Sequence, residues 1–431
     1  MAEATITIWD KEVGAVVWDH DRQVALFEIG SDFVKEEIDL APITMPLETL
    51  KMGRRIFSFP NLNPQTFKKL PGLLADALPD TFGNALIDIW LSQKGRSSAD
   101  FTPVERLCYI GKRAMGALEF HPSLVEQQNN IEAIQLEELV AIASKIMKKK
   151  EGLNTSFKEN RTKALEQIIK VGTSAGGMRP KAVIAVHREN QNIVSGNLNL
   201  NEDYEHWLLK FDGIQDNELG DPQGYGKIEY IYYLMAKACG ITMNPSKLLH
   251  EGNRSHFMTK RFDRKSGQKI HMQTLSGIAH FDFNTIGSTS YEQLFEVMRK
   301  LRLGKDELEQ MFTRMVFNVV GRNQDDHTKN TAFLLEKDNP WRLSPAYDLT
   351  YSYNPAPDRN TSRHQMSING KRDGITRNDL QKIAQDNNIK KPDKIIDAII
   401  DVFQGWSKLA KDHDIHPKKI KQINNALRLQ L

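Results

Sequence analysis

Asp325, Asn330 and Asp348 lie in two short stretches, Asn323-Gln324-Asp325-Asp326-His327-Thr328-Lys329-Asn330 and Pro345-Ala346-Tyr347-Asp348-Leu349. These residue types at this spacing suit phosphoryl transfer. The first acid can orient an attacking hydroxyl, and the amide with the later acid can hold Mg²⁺ against the phosphates of ATP. The separation of five between Asp325 and Asn330 is that of a protein kinase catalytic loop, and Asp348 follows 23 residues after Asp325. The same cluster also reads as a turn closing a helix, because Asn and Asp favour turns. Asp326 adjoins Asp325, so two acids compete for the catalytic role.

Phosphoryl transfer also needs the phosphates cradled and their charge neutralised. The candidate cradle is Gly172-Thr173-Ser174-Ala175-Gly176-Gly177-Met178-Arg179-Pro180-Lys181, just ahead of an apolar run. Glycines there let backbone N–H groups approach phosphate oxygens. The segment fits neither the Walker pattern nor G-x-G-x-x-G, and a Gly-Gly pair between polar segments also makes a plain hairpin turn. Lys210 closes Trp207-Leu208-Leu209 and can reach phosphates, or it can be a solvated strand end. Glu229, on the next helical stretch, is a candidate partner for it. Thr259-Lys260-Arg261-Phe262 is the candidate hinge, where backbone groups would hold adenine.

The elements that must position these residues are legible in outline. The chain of 431 residues is too long for one core, so two or three domains are expected. Residues 4–29 alternate apolar and polar between turn clusters, which predicts a small antiparallel sheet. A loop over Leu70–Asp80 leads into a helix through Ile89, and a helix begins at Thr102-Pro103 and breaks at Gly111. Ile131, Leu136, Leu139, Val140, Ala143 and Ile146 mark an amphipathic helix running to Lys148-Lys149-Lys150, and the polar stretch 151–162 reads as a boundary. Strands are expected at Ala182–Val186, His206–Phe211 and Phe257–Phe262, with 187–205 an exposed loop. A helix over Ile228–Cys239 is closed by Gly240. Beyond about residue 270 the pattern is helical: Leu308, Met311, Phe312, Met315, Val316 and Val319 form one buried stripe. A strand-turn-strand follows at Ala332–Leu335 and Trp341–Leu343. Three closing helices are expected at 376–388, 392–412 and 416–430.

Bulk numbers bound the partners. The 58 basic and 55 acidic residues leave a net charge of +3, which demands no nucleic acid. Cys108 and Cys239 sit in apolar segments and read as reduced core thiols of a cytoplasmic protein rather than a zinc site. The N-terminus has no secretory pattern and no run of 18 apolar residues exists, so no leader and no membrane span are expected.

Taken together, the chain resembles the HipA family, the serine/threonine protein kinase toxins of bacterial HipA–HipB toxin–antitoxin modules. The resemblance covers nearly the whole chain. It is carried by Leu74-Ala75-Asp76-Ala77-Leu78-Pro79-Asp80, Arg106-Leu107-Cys108-Tyr109-Ile110-Gly111, Gly172–Lys181, Leu208-Leu209-Lys210-Phe211, Arg261-Phe262-Asp263-Arg264, Asp325–Asn330 and Ser367-Ile368-Asn369-Gly370-Lys371, in family order. It implies an α+β fold: an N-terminal β-containing module over 1–125, a connecting helix and nucleotide-binding α/β lobe over 126–265, and a mostly helical catalytic lobe over 266–431. Asp325 would be the catalytic acid, and Asn330 and Asp348 would ligate Mg²⁺. ATP would be bound by Gly176, Gly177, Met178, Arg179, Pro180 and Lys181 of the phosphate loop, by Lys210, by the backbone of Lys260, Arg261 and Phe262, and by His327, Lys329, Asn330, Tyr347 and Asp348. Ser174 falls where family members carry an autophosphorylated serine, and a dianion there would repel the nucleotide. Lys260 stands where one branch has Glu, and HRD, DFG and V-A-I-K are absent.

The resemblance further implies a HipB-like helix-turn-helix antitoxin dimer as partner, operator DNA reached mainly through that antitoxin, and co-repression of the operon. Lys418, Lys419, Lys421 and Arg428 could line that assembly, or form a solvated helix face. Family substrates include an aminoacyl-tRNA synthetase. The location implied is cytoplasmic, nucleoid-associated when bound to antitoxin and DNA. Two alternatives stay open: a catalytically silent antitoxin-binding co-repressor, and an atypical small-molecule or lipid kinase.

Overall fold

The computed structural model describes residues 2–125, 131–148, 167–169, 171–172, 179–198, 200–214 and 224–431, with the side chains of 147 and 148 left aside. Ser174, Gly176, Gly177 and Met178, and the boundary at 151–162, lie outside the described residues. The chain packs as two compact units, Met1–Gly226 with Ser246–Met272, and Lys227–Pro245 with Gln273–Leu431. The fold is of the α+β class, and the strands of its two five-stranded sheets pair antiparallel.

The first unit contains two five-stranded sheets. Strands β1 (Glu3–Ile8), β2 (Lys11–Asp19) and β3 (Val24–Ile29) form the expected meander, extended by β4 (Ile56–Phe57) and β5 (Leu118–His121) into the order β4-β3-β2-β1-β5. Alternation drives it: Ala4, Ile6 and Ile8 are buried while their neighbours are not. The helix Thr81–Gln93 is capped by Asp80, whose carboxylate accepts from Gly83 N at 2.7 Å. The helix Pro103–Ile110 opens with a capping box in which Thr102 N donates to Glu105 Oε2 (2.8 Å) and Glu105 N donates to Thr102 Oγ1 (3.2 Å).

The second sheet has the order β7-β6-β8-β10-β9, built from β6 (Lys181–His187), β7 (Ile193–Ser195), β8 (Tyr204–Lys210), β9 (Ser246–Glu251) and β10 (Arg254–Lys260). Here the sequence reading needs correcting. The stretch 187–205 is not all loop, because Ile193 and Val194 pair with Val186 and Ala185 as an edge strand. Two apolar residues between polar ones are too few to show the period. The strand β9 was also not anticipated.

The second unit is mostly helical. Its buried axis is the helix Lys305–Gly321, of which every residue from Met311 on is buried. Its Phe317 packs in a cluster with Tyr232, Phe403 and Trp406, with ring centroids of the contacting pairs 4.8–5.9 Å apart. Gly321 must be glycine: a Cβ there would lie 2.3 Å from Phe403 Cζ. The helix stops at Arg322, which turns left-handed with φ 57°, and the strands Ala332–Leu335 and Arg342–Leu343 follow as an antiparallel pair. The expected helix over 392–412 is two helices, Pro392–Gln404 and Trp406–Asp412. The break falls at Gly405, a residue that weakens a helix interior. Helices Arg377–Asp386 and Pro417–Ala426 complete the set. Cys108 is buried and Cys239 only half-buried, and both are free. No helix among the described residues is long and apolar enough to cross a membrane.

Candidate active site

In the second unit, the left-handed turn at Arg322 releases the chain from its buried helix into the segment 323–330, which ends in a short 3-10 turn, Thr328–Asn330. Asn330 Nδ2 donates to the backbone oxygen of Asp325 at 2.7 Å, closing the segment into a loop. That bond uses one N–H of the amide, and Oδ1 is the atom able to accept or ligate. His327 Nδ1 accepts from Lys329 N at 3.2 Å, so Nε2 carries the proton; it faces Asp325 Oδ1 at 4.0 Å. Tyr347 Oη donates to Lys329 O at 2.6 Å. The Lys329 ammonium lies 4.8 Å from the ring centroid of Phe283. Five of the residues read from the sequence, Asp325, His327, Lys329, Asn330 and Tyr347, thus share one local network. Asp348 follows Tyr347 with φ 57°, a costly conformation for a residue other than glycine. Its carbonyl lies 3.5 Å from Asn323 Nδ2.

The two adjacent acids differ sharply. The Asp325 side chain is 48% exposed, and that of Asp326 is 1% exposed. Asp326 Oδ2 accepts from Tyr291 Oη (2.9 Å) and His364 Nδ1 (2.8 Å), while Oδ1 accepts from Gln365 N (2.8 Å). A carboxylate sealed by three donors has little capacity left for an incoming hydroxyl, whereas an exposed one can take it. Burial, with the nearby Asp326 charge adding to it, pushes the Tyr291 hydroxyl well above its ordinary pKa, so it remains a donor.

The first unit places the remaining candidates. Lys181 opens β6 and Lys210 ends β8, directly opposite each other, and Lys210 in turn faces Phe257 on β10. Opposed residues of an antiparallel pair share a face, so the two lysines leave the same face at one end of the sheet. Lys181 is 3% exposed. The Arg179 guanidinium sits 4.0 Å from the Tyr225 ring centroid. Pro180 extends the ladder, its carbonyl accepting from Phe211 N at 3.3 Å. Lys260 Nζ donates to Glu205 Oε1 at 2.8 Å. Arg261 N donates to His206 O at 2.9 Å. The Arg261 side chain is locked onto Asp263, with Nε to Oδ1 at 2.8 Å and NH2 to Oδ2 at 2.7 Å. Glu229, which belongs to the second unit, is buried on the helix Tyr225–Ala238.

Among the described residues no cluster of three His, Cys, Asp or Glu side chains could hold a metal ion. One amide oxygen and one carboxylate, Asn330 and Asp348, suit Mg²⁺, which keeps several waters and takes substrate phosphates as further ligands. The sequence reading missed Tyr291, Ser352 and His364. They lie 27 to 38 residues from their partners, and no local period marks them. Asn318 carried a usable signal, as an amide between Phe317 and Val319 on a buried helix.

This α+β fold and loop are those of one protein family. The model of the HipA-like C-terminal domain matches residues 173–407, and that of the HipA N-terminal domain matches residues 4–121. The chain belongs to the HipA family. Among solved structures, the chain is similar to HipA in the complex of the Shewanella oneidensis MR-1 toxin–antitoxin system HipA, HipB and its operator DNA, with TM-score 0.66 and 16% identity over 98% of this chain and 94% of that chain. At that identity the likeness is one of fold. The proinflammatory kinase CtkA of Helicobacter pylori matches 53% of this chain and 90% of its own with TM-score 0.34 and 13% identity, and carries no argument. Comparison with curated proteins finds no match.

Proposed function

We propose that the chain is an ATP- and Mg²⁺-dependent protein serine/threonine kinase, the toxin of a toxin–antitoxin pair. The observation that carries this is the contrast within one loop. Asp325 is half-exposed on a backbone pinned by Asn330, while Asp326 is sealed by three donors. Asp325 accepts the hydrogen bond of the acceptor hydroxyl and aims its oxygen. Asn330 Oδ1 and the Asp348 carboxylate hold the divalent ion, which neutralises charge on the phosphates when it is bound with ATP. Lys181 and Lys210 supply further positive charge for phosphates, Lys329 and His327 line the loop, and backbone groups of Lys260 to Phe262 hold adenine. Ser174 is the site of self-modification, in a phosphate loop that includes Gly176 to Lys181.

The proposed partner is a HipB-like helix-turn-helix dimer, with operator DNA reached through it and co-repression as the outcome; the similar Shewanella HipA is in a complex with HipB and its operator DNA, which supports the choice of HipB and DNA. A translation component such as an aminoacyl-tRNA synthetase is the proposed substrate, and the proposed location is the cytoplasm. The domain division at 125/126 and 265/266 is part of the same reading. The test is intact-protein mass spectrometry of dephosphorylated protein before and after ATP and Mg²⁺. The wild type should gain a phosphoryl group at Ser174 and Asp325→Asn should not. An unmodified wild type counts against the reading.

A further inference from the structure

Asp325 and Asp326 are joined twice, once through the peptide bond and once through a ring of hydrogen bonds. Asp325 N donates to Ser352 Oγ at 2.9 Å, and Ser352 Oγ donates to Asn323 Oδ1 at 3.1 Å. Asn323 Nδ2 donates to Asn318 Oδ1 at 2.9 Å, and Asn318 Nδ2 donates to Tyr291 Oη at 3.0 Å. Tyr291 Oη donates to Asp326 Oδ2 at 2.9 Å. Every donor runs the same way, from the amide of Asp325 to the carboxylate of its neighbour. A one-way chain polarises along its length, and an anion at its end strengthens the last link. Tyr291, Asn318, Asn323 and Asp326 are buried, and Ser352 is half-buried.

A polar ring of this kind is a poor device for stability alone, since apolar residues of similar volume often do as well or better. Its geometry suits another task. One end is a fixed charge, tied to the loop 364–365 and to the start of the helix Tyr291–Lys300. The other end is the backbone of the residue whose carboxylate is exposed. Asn323, within the ring, also lies 3.5 Å from the carbonyl of Asp348. We propose that Asp326 is a positioning residue: through Tyr291, Asn318, Asn323 and Ser352 it fixes the backbone of Asp325 and so aims its carboxylate. The catalytic consequence rests on the kinase reading, and the structural coupling does not.

Two variants break the ring at opposite ends without touching either acid. Tyr291→Phe removes the hydroxyl that reaches Asp326, and Ser352→Ala removes the acceptor of the Asp325 amide. Each should lower kcat by about tenfold or more, as mis-aiming a reacting group does, with KM for ATP within about twofold of wild type. The double variant should fall little further than either single one, because both cut one ring. Ser352→Thr, which keeps the hydroxyl, should restore Ser352→Ala. A merely structural role would lower Tm, leave kcat per folded molecule unchanged and give additive effects; that pattern overturns the proposal. Hydrogen exchange provides a readout independent of activity. In Tyr291→Phe the amide of Asp325 should exchange faster while that of Leu334 does not change. An unchanged Asp325 amide overturns the proposal whether or not phosphate moves. A wild type that transfers no phosphate overturns the kinase reading instead, and the exchange result still decides the coupling.

Discussion

Removing the Asp263 carboxylate should destabilise the first unit severely. Asp263 is 0% exposed, and its two oxygens accept four hydrogen bonds. Arg261 provides two, at 2.8 and 2.7 Å, Arg264 NH1 one at 2.9 Å, and Gly116 N one at 2.8 Å. Burial raises the Asp263 pKa, but the guanidinium groups of Arg261 and Arg264 outweigh it and hold the carboxyl well below the usual range. Asp263→Ala strands the buried Arg261 guanidinium and the Gly116 N–H, and takes one acceptor from Arg264, which keeps backbone acceptors at Gly116, Asp263 and Ala114. Deleting one partner of a buried pair costs about 3–5 kcal/mol. For a unit of this size each kcal/mol lowers Tm by about 2–4 °C, so a fall of about 6–20 °C is expected. The assay is urea unfolding of the purified protein together with scanning calorimetry. A carboxylate with a depressed pKa contributes fully above its unfolded value of about 3.9, so the loss should be the same at pH 6 and pH 8. Replacing all three charges together, as Arg261→Met, Asp263→Leu and Arg264→Met, should recover part of it. An Asp263→Ala loss below about 1 kcal/mol would refute the reasoning, since even one stranded donor costs that much.

Acid should destabilise the protein below about pH 6.5, the unfolded histidine value, for a related reason. Burial lowers His271 to about 3 and His280 to about 4, and burial with Arg261 and Arg264 lowers His206 to about 4. These rings stay neutral in the fold while the unfolded chain takes up protons, so stability falls as pH drops, by up to about 1.4 kcal/mol per pH unit for each; a flat urea midpoint from pH 7 to 5 would exclude this. Gly116→Ala should cost about 1–3 kcal/mol, because Gly116 has φ 80° and a Cβ would lie 2.9 Å from Met272 N; an unchanged Tm would show that the backbone relaxes freely there. Thr102→Ala removes half of a capping box and should cost about 1 kcal/mol by the same calorimetry, and no loss would mean that the cap is redundant.

The elements with strong periods were legible. The meander of β1 to β3 shows in alternation, and the helix Lys305–Gly321 shows in its stripe of Met311, Phe312, Met315, Val316 and Val319. Edge elements were not, because β7 has two apolar residues and takes its conformation from β6. The loop 323–330 was legible as a candidate site, since the Asp-to-Asn spacing of five is local. What separates Asp325 from Asp326 was not recognisable: Tyr291, His364 and Gln365 come from segments 35 to 39 residues away. Only the tertiary fold tells an exposed acid from a sealed one. The stretch Lys260–Phe262 was read for its backbone, yet the Arg261 side chain joins Asp263 and Arg264 in an ion cluster that also takes the Gly116 N–H.

The most direct measurement is transfer of labelled γ-phosphate from ATP to a protein acceptor, the chain itself included. It compares the wild type with Asp325→Asn, Asn330→Ala and Asp348→Ala, each with and without Mg²⁺. The account predicts Mg²⁺-dependent labelling of serine or threonine by the wild type and none above background by the three variants, all of them folded. Labelling by Asp325→Asn at the wild-type rate, or none by the wild type, would contradict it.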